Sequence, residues 1–211
     1  MIDKTINYVW FGNNQMPDEA LKCIETWRKF CPEYKIVEWN ESNFDFSDCK
    51  YAVQAYEAKM WAFVSDYARI KILRDNGGVY MDVDVELVKN IDPLLLHKAF
   101  MGFEDGLAVN TGLIAGSEPN HRLFADLVDR YRTYEFVNVD GTLNVTPCVE
   151  YQTTLLMENG LIKEDKIQVV DDITIYPMEY FSPFNHRTGI LNVTENTYSI
   201  HKYAGTWAPE T

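Results

Sequence analysis

The stretch Asn76-Gly77-Gly78-Val79-Tyr80-Met81-Asp82-Val83-Asp84-Val85-Glu86 leaves this chain few ways to fold. Asparagine before two glycines ends a helix and turns the backbone, because glycine enters the left-handed region at no steric cost. From Val79 to Glu86 apolar and polar residues alternate, the period of a strand with one buried face. Tyr80, Asp82, Asp84 and Glu86 share one face. Val79, Met81, Val83 and Val85 share the other, which must be core. A slip of one residue would bury the acids, so the pattern fixes the register. Two carboxylates this close repel unless one takes a proton or something positive sits between them. A hard divalent cation with oxygen ligands resolves the repulsion. So does a half-exposed edge strand with solvated acids, and the stretch alone leaves both open.

Charge narrows the choice. The 211 residues carry a formal net charge of -13, which argues against nucleic acid or anionic lipid as the main partner. An acidic protein that holds an anionic ligand, such as a nucleotide diphosphate, needs a metal ion or a few local cations to bridge the like charges. Cys23, Cys31, Cys49 and Cys148 show no C-x-x-C spacing and no companion histidines. They predict buried thiols in a reducing cytosol rather than a zinc site. Neither a charged-then-apolar leader nor an apolar run of roughly 18 residues is visible, so neither a signal peptide nor a transmembrane segment is expected. The length suits one domain with a proper core, spanning 1–211.

Along the chain, strand and helix patterns alternate, which predicts an α/β sheet. Ile6 to Phe11 is a β-branched and aromatic run ending in Gly12-Asn13-Asn14, a strand read as central. Ligands of such sheets bind beyond the carboxyl ends of the strands, where Trp10 sits, either as core or as a ring on which a base stacks. Pro17-Asp18-Glu19 opens a helix running to about Phe30, and Tyr34 to Trp39 alternates as a strand. Tyr51 to Asp75 reads as one long helix with an apolar stripe at spacings of three and four. Within it, Asp66 and Arg69 lie on one helix face, as a surface ion pair or as groups close to the acid pair. Further strands are expected at Ala99 to Glu104, around Leu107 to Gly116 with a bend at Asn110-Thr111, at Ile167 to Val170, at Ile173 to Tyr176 and in Thr197 to Tyr203. Helices are expected from His121 to about Tyr134 and from Pro147 to Glu158.

Four segments then match one pattern in the right order: INYVWFG near the start; Ser65-Asp66-Tyr67-Ala68-Arg69; Gly77-Gly78-Val79-Tyr80-Met81-Asp82-Val83-Asp84; and His201-Lys202-Tyr203-Ala204-Gly205-Thr206-Trp207. The chain resembles the DXD-motif sugar transferases of glycosyltransferase family 32, and more distantly the glucosyltransferase domains of large clostridial toxins. The DXD triplet alone is a weak motif, whereas its combination with SDYAR and GGVY at this spacing is strong. The resemblance implies a GT-A fold, a single mixed sheet flanked by helices, binding a UDP- or GDP-sugar with Mn²⁺ or Mg²⁺. It implies that Asp84 ligates the metal directly, that Asp82 reaches it through water while touching the ribose or sugar, and that His201 closes the metal shell. Imidazole there would suit Mn²⁺ better than Mg²⁺; a strand histidine facing solvent is the alternative. The resemblance further implies that Trp10 flanks the base, Ser65 the ribose, and that Asp66 and Arg69 grip the donor sugar. Tyr80 joins the donor site, Asn110 lies near sugar and acceptor, and Trp207 hydrogen-bonds a phosphate oxygen. Asp66, Arg69, Asp82 and Asp84 make up the catalytic group.

The resemblance implies retention of anomeric configuration. No residue declares itself as a nucleophile for double displacement, so same-face attack is expected, with the departing phosphate taking the acceptor's proton. Glu104 and Asp105 contest that. The expected acceptor is a saccharide or lipid-linked glycan of bacterial surface polysaccharide synthesis, with a protein acceptor or a non-catalytic sugar-nucleotide binder as alternatives. Relatives often continue past the Trp207 motif in a basic amphipathic tail suited to docking on a membrane. This sequence stops four residues after Trp207, which leaves a trimmed chain or a soluble acceptor open. The expected setting is cytoplasmic, with peripheral association at the inner face of the membrane as an alternative. A phosphohydrolase using paired aspartates is disfavoured, because the pair lies mid-chain and Glu86 stands where a threonine would be wanted.

Overall fold

The computed structural model describes residues 1–205. In chain order its elements are β1 (Thr5–Val9), α1 (Asp18–Phe30), β2 (Lys35–Trp39), α2 (Lys50–Glu57), α3 (Trp61–Asn76), β3 (Gly78–Tyr80), β4 (Val85–Leu87), β5 (Ala99–Glu104), β6 (Ala108–Asn110) and β7 (Ala115–Ser117), then α4 (Arg122–Thr133), α5 (Cys148–Glu158), β8 (Gln168–Val170), β9 (Ile173–Tyr176), α6 (Met178–Phe181), β10 (Phe184–Asn185), β11 (Ile190–Leu191) and β12 (Ser199–His201). The main sheet runs β2-β1-β3-β7-β5-β9-β8, with β6 added to β5. It is mixed: β1 is parallel to β2 and β3, β7 is antiparallel to both β3 and β5, and β5 is parallel to β9. β1 is therefore an inner strand one in from the β2 edge, not the middle of the sheet. Two ribbons lie off the sheet, β10 with β11 and β12 with β4.

Strand alternation divides the core into two layers. Val9, Tyr67, Ile70, Leu73, Tyr80, Met101 and Phe103 pack with α3, α4 and α5 on one face. Ile6, Tyr8, Ile24, Trp27, Val79 and Met81 pack on the other, under α1. Trp27 is fully buried, and burial of so large an apolar side chain is worth about 3 kcal/mol. Its indole N–H donates to the Val85 carbonyl at 2.7 Å, and Thr26 Oγ1 accepts the Leu87 N–H at 2.9 Å. Helix α1 thus fixes β4, the strand just beyond the acid pair.

Two expectations need correcting. The acid stretch is not one strand. Val79, Met81, Val83 and Val85 are all buried, as the pattern requires, but the ladder ends at Tyr80. Beyond it the Asp82 N–H turns to the Gly112 carbonyl at 3.0 Å, and the Val85 N–H closes on the Asp82 carbonyl at 3.1 Å. Asp82 and Asp84 therefore sit on a turn between the main sheet and the β4–β12 ribbon. Nor is Tyr51 to Asp75 one helix. It breaks between α2 and α3, where Lys59 takes a left-handed φ of 58°. The apolar stripe continues across the break, which hides it from periodicity. The break sets Trp61 against Gly12, where an added Cβ would lie 2.8 Å from the indole. The helix stop itself is where the sequence puts it: Gly77 has φ 67°, and a Cβ there would meet Pro119 and the Ser117 carbonyl at 2.8 Å.

Candidate metal and donor site

The acid turn meets a strand from the far end of the chain. In the β4–β12 ribbon His201 pairs with Val85, and the Lys202 N–H donates to the Asp84 carbonyl at 3.0 Å. That register brings His201 Nε2 to 3.1 Å from Asp84 Oδ1, while the Ala204 N–H donates to Asp84 Oδ2 at 3.0 Å. One ligand atom each from Asp82, Asp84 and His201 lie within 4.8 Å of one another. His201 Nδ1 is buried and has no hydrogen-bond partner among the described residues. Two carboxylates and one imidazole, one of whose ring nitrogens is unsatisfied, fit a divalent cation of the Mn²⁺ or Mg²⁺ kind. The solvent-facing alternative for His201 is set aside, since its side chain is only 10% exposed.

The two acids differ electrostatically. Burial pushes the Asp82 carboxyl up; Arg69 opposes this and the Asp84 charge adds to it. Burial acts on Asp84 too, but the hydrogen bond and charge of His201 and the Ala204 N–H outweigh it and hold its carboxyl below the usual range. Burial depresses His201 in turn, and its contacts with Asp84 reverse that and raise it. Environment alone makes Asp84 the more anionic of the pair.

Behind the turn stands α3. The Arg69 guanidinium bridges Asp66 Oδ1 at 3.1 Å and Asp82 Oδ2 at 3.2 Å, its Nε donates to the Ser65 carbonyl at 3.3 Å, and it lies 5.3 Å from the centre of the Tyr80 ring. The side chains of Arg69 and Asp66 are 7% and 11% exposed, so the surface ion pair is excluded. Burial pushes Asp66 up against the pull of Arg69, while its acidic neighbours keep Arg69 charged. Tyr80 is fully buried and reaches the site through its hydroxyl, which donates to Asp82 Oδ1 at 2.9 Å.

A second bracket comes from the loop after β6. Asn110 Oδ1 accepts the Gly112 N–H at 2.6 Å, which turns its amide NH₂ toward Glu104 Oε2 at 2.8 Å. Burial pushes the Glu104 carboxyl up. Gly112 is required by space: a Cβ there would lie within contact distance of Asp82 Oδ2 and 2.6 Å from Arg69 Nη1. Sequence reading missed Gly112. It also missed Gln152 and Thr153 on α5, which clamp the loop. Gln152 takes the Thr111 N–H at 3.1 Å and donates to the Thr111 hydroxyl at 2.9 Å, and Thr153 Oγ1 takes the Val109 N–H at 2.8 Å. A signal existed, since both polar residues fall among Cys148, Leu155 and Leu156 on the buried side of α5.

The remaining expected donor residues make their side-chain hydrogen bonds elsewhere. Trp10 is half-buried, with its indole N–H on the Asn14 carbonyl at 2.7 Å. Ser65 donates back to the Trp61 carbonyl at 2.9 Å. Trp207 lies outside the described residues.

The fold is that of the GT-A glycosyltransferases. The structure of the PaToxG glycosyltransferase superposes with a TM-score of 0.56 at 20% identity, over 74% of this chain and 69% of that one. The profile of the family described as "Glycosyltransferase sugar-binding region containing DXD motif" matches residues 17–101, which hold α3 and the acid turn. An uncharacterized glycosyltransferase of Acanthamoeba polyphaga mimivirus is 25% identical over 99% of this chain and 85% of its own length. A mannosyl phosphorylinositol ceramide synthase of Saccharomyces cerevisiae is 30% identical over 54% of this chain, matched over 30% of its own length. The chain is a glycosyltransferase, similar over residues 17–101 to this DXD-containing family. No helix among the described residues is long and apolar enough to cross a membrane.

Proposed function

We propose that the chain, acting as one GT-A domain, moves a hexose from a UDP- or GDP-linked donor to a saccharide or lipid-linked acceptor, with retention at the anomeric carbon. The observation that carries this reading is the convergence of Asp82, Asp84 and His201 within 4.8 Å, backed by the buried Arg69. Mn²⁺ or Mg²⁺ held by those three would neutralise the diphosphate as the anomeric carbon–oxygen bond breaks. Asp84, the more anionic acid, is the direct ligand in this reading. Asp82, held by Arg69 and Tyr80, would reach the ion through water and the ribose directly. In this reading Asp66, Arg69 and Asn110 would meet the donor sugar and Trp10 and Ser65 the nucleoside, while Trp207, outside the described residues, keeps only the phosphate role the resemblance implies. The yeast relative is named for a mannosylated lipid, which supports a lipid acceptor; work at the cytoplasmic face of a membrane in bacterial surface polysaccharide synthesis is the setting we propose.

Same-face attack needs no protein nucleophile, because the departing phosphate oxygen takes the acceptor's proton. One observation favours a second reading. The Asn110 bond ties the Glu104 carboxylate into the donor site, where it could attack the anomeric carbon. Glu104→Gln separates the two. Double displacement predicts a loss of transfer of at least about 10³-fold, and same-face attack a loss within about tenfold.

The donor is tested by thermal shift with a panel of UDP- and GDP-sugars, with and without Mn²⁺. Binding to the folded state raises the melting temperature. One nucleotide should raise it only with the metal and not in Asp84→Ala. A folded protein that shifts with none of them would refute the reading.

A further inference from the structure

We propose that a cavity beside the metal turn is the acceptor subsite, and that it takes a single uncharged pyranose ring. This rests on the transferase reading above and adds the acceptor's place and chemical class. The cavity measures about 220 Å³, the scale of one sugar ring, and lies between β5, α6 and the β10–β11 hairpin. Its lining includes Asp105, Asp165, Ser182, Phe184, Asn185 and Asn192.

Two separate chain paths join it to the acid turn. Asp105 is the residue after Glu104, which Asn110 binds within the donor site. On the other side, the Ser182 and Tyr203 hydroxyls hydrogen-bond at 2.8 Å, and the Tyr203 ring centre is 4.1 Å from that of His201. Tyr203 thus links Ser182 in the cavity lining to His201 at the metal turn. It holds that place with a left-handed φ of 52°, which residues other than glycine seldom adopt and which clusters where structure serves function. A ring seated in the cavity would present one hydroxyl past Tyr203 toward the donor.

The lining fits a sugar and selects its charge. A pyranose has an apolar C–H face and a rim of hydroxyls that both donate and accept. Phe184 offers a ring to the first. For the rim, Asp165 uses one oxygen on the Met178 N–H at 2.8 Å, leaving the other open among the described residues. Among the described residues Asn185 uses only its side-chain carbonyl oxygen, on the Arg187 and Thr188 N–H groups, which leaves its NH₂ to donate. The Asn192 side-chain amide has no hydrogen-bond partner among the described residues. Asp105 pairs with Arg187 at 3.1 Å, but the Arg187 side chain is 73% exposed, and solvent screens it. Carboxylates without an enclosed cation repel a phosphorylated or uronic sugar.

The test is saturation-transfer NMR on the full chain with methyl α-mannoside, α-glucoside and α-galactoside, and with glucuronate and mannose 6-phosphate. At least one neutral glycoside should bind and neither anionic sugar should. Asn192→Trp, at an exposed position, fills the cavity and should weaken that binding by at least about tenfold in Kd. The metal-dependent thermal shift with nucleotide, measured on the same sample, should persist in the variant. Binding of no neutral glycoside, equal binding in Asn192→Trp, or equal binding of the anionic sugars overturns the subsite while the nucleotide shift keeps the donor reading. A wild-type protein with no nucleotide shift overturns the donor reading itself, and the subsite with it.

Discussion

Helix α3 carries two ionic networks, and they differ in what surrounds them. Asp66, Arg69 and Asp82 are enclosed, with side-chain exposures of 11%, 7% and 25%. Asp48 instead takes hydrogen bonds from Tyr67 at 2.9 Å, Lys71 at 3.1 Å and Arg132 at 2.7 Å at the protein's edge, where Arg132 is 38% exposed. The edge network ties the segment before α2 to α3 and α4, and its job is adhesion. The enclosed one does that job badly, because desolvating charges offsets most of what their attraction returns. Its geometry makes sense as a rigid support for Asp82. An ion network retained in spite of its burial, beside a further acid, Asp84, and a histidine, marks function; one at the rim marks the fold.

That contrast breaks most visibly at Arg69. Arg69→Met leaves two buried carboxylates unpaired and should destabilise the protein by about 3–5 kcal/mol in denaturant unfolding. Arg69→Lys keeps the charge but loses the fork, and should lower donor turnover by at least about 100-fold with a smaller loss of stability. Wild-type turnover in Arg69→Lys would show that the enclosed network is only structural.

Next in size is Gly112→Ala. The added methyl must displace Asp82 or Arg69, so turnover should fall by about 100-fold while unfolding shifts by about 1–3 kcal/mol. An unchanged enzyme would mean that Asp82 moves freely and that its support does not matter.

The smallest effect belongs to the edge network. Asp48→Asn should cost about 1 kcal/mol and leave turnover unchanged. Its pH dependence has a definite sign. Burial pushes Asp48 up, but Arg132, Tyr67 and Lys71 outweigh it and hold the folded carboxyl below its unfolded value. The stabilisation is therefore complete above the ordinary aspartate range and disappears as pH falls through the lower, folded value. Melting curves of wild type and Asp48→Asn should converge on acidification. Parallel curves at all pH values would show that the pair does not depend on charge.

The donor half of this molecule was legible in the sequence because its signals are local. Gly77 ends α3 where expected, and the run from Val79 to Val85 points its apolar residues into the α1 layer as alternation requires. Alternation was nevertheless too generous in making one strand of that run, since buried alternate residues fit a strand–turn–strand path equally well. The break before α3 escaped for the same reason: Lys59 turns left-handed with no glycine or proline to announce it. His201 was placed by resemblance, but its meeting with Asp84 is a matter of β4–β12 register, which no local pattern encodes. Gly112, Gln152 and the cavity lined by Ser182 and Asn192 are defined by tertiary contacts, so that side of the molecule was largely silent. The roles assigned to Trp10 and Ser65 still rest on the resemblance.

The claim beneath all of this is that Asp82, Asp84 and His201 hold one divalent ion. It is tested most directly by titrating Mn²⁺ into the protein and monitoring the free ion by electron paramagnetic resonance, with and without UDP or GDP. One site per chain is predicted, tightened by one of the two nucleotides and lost in Asp84→Ala and His201→Ala variants that still melt cooperatively. Undiminished Mn²⁺ binding in both variants, or none in the wild type with nucleotide present, would contradict it.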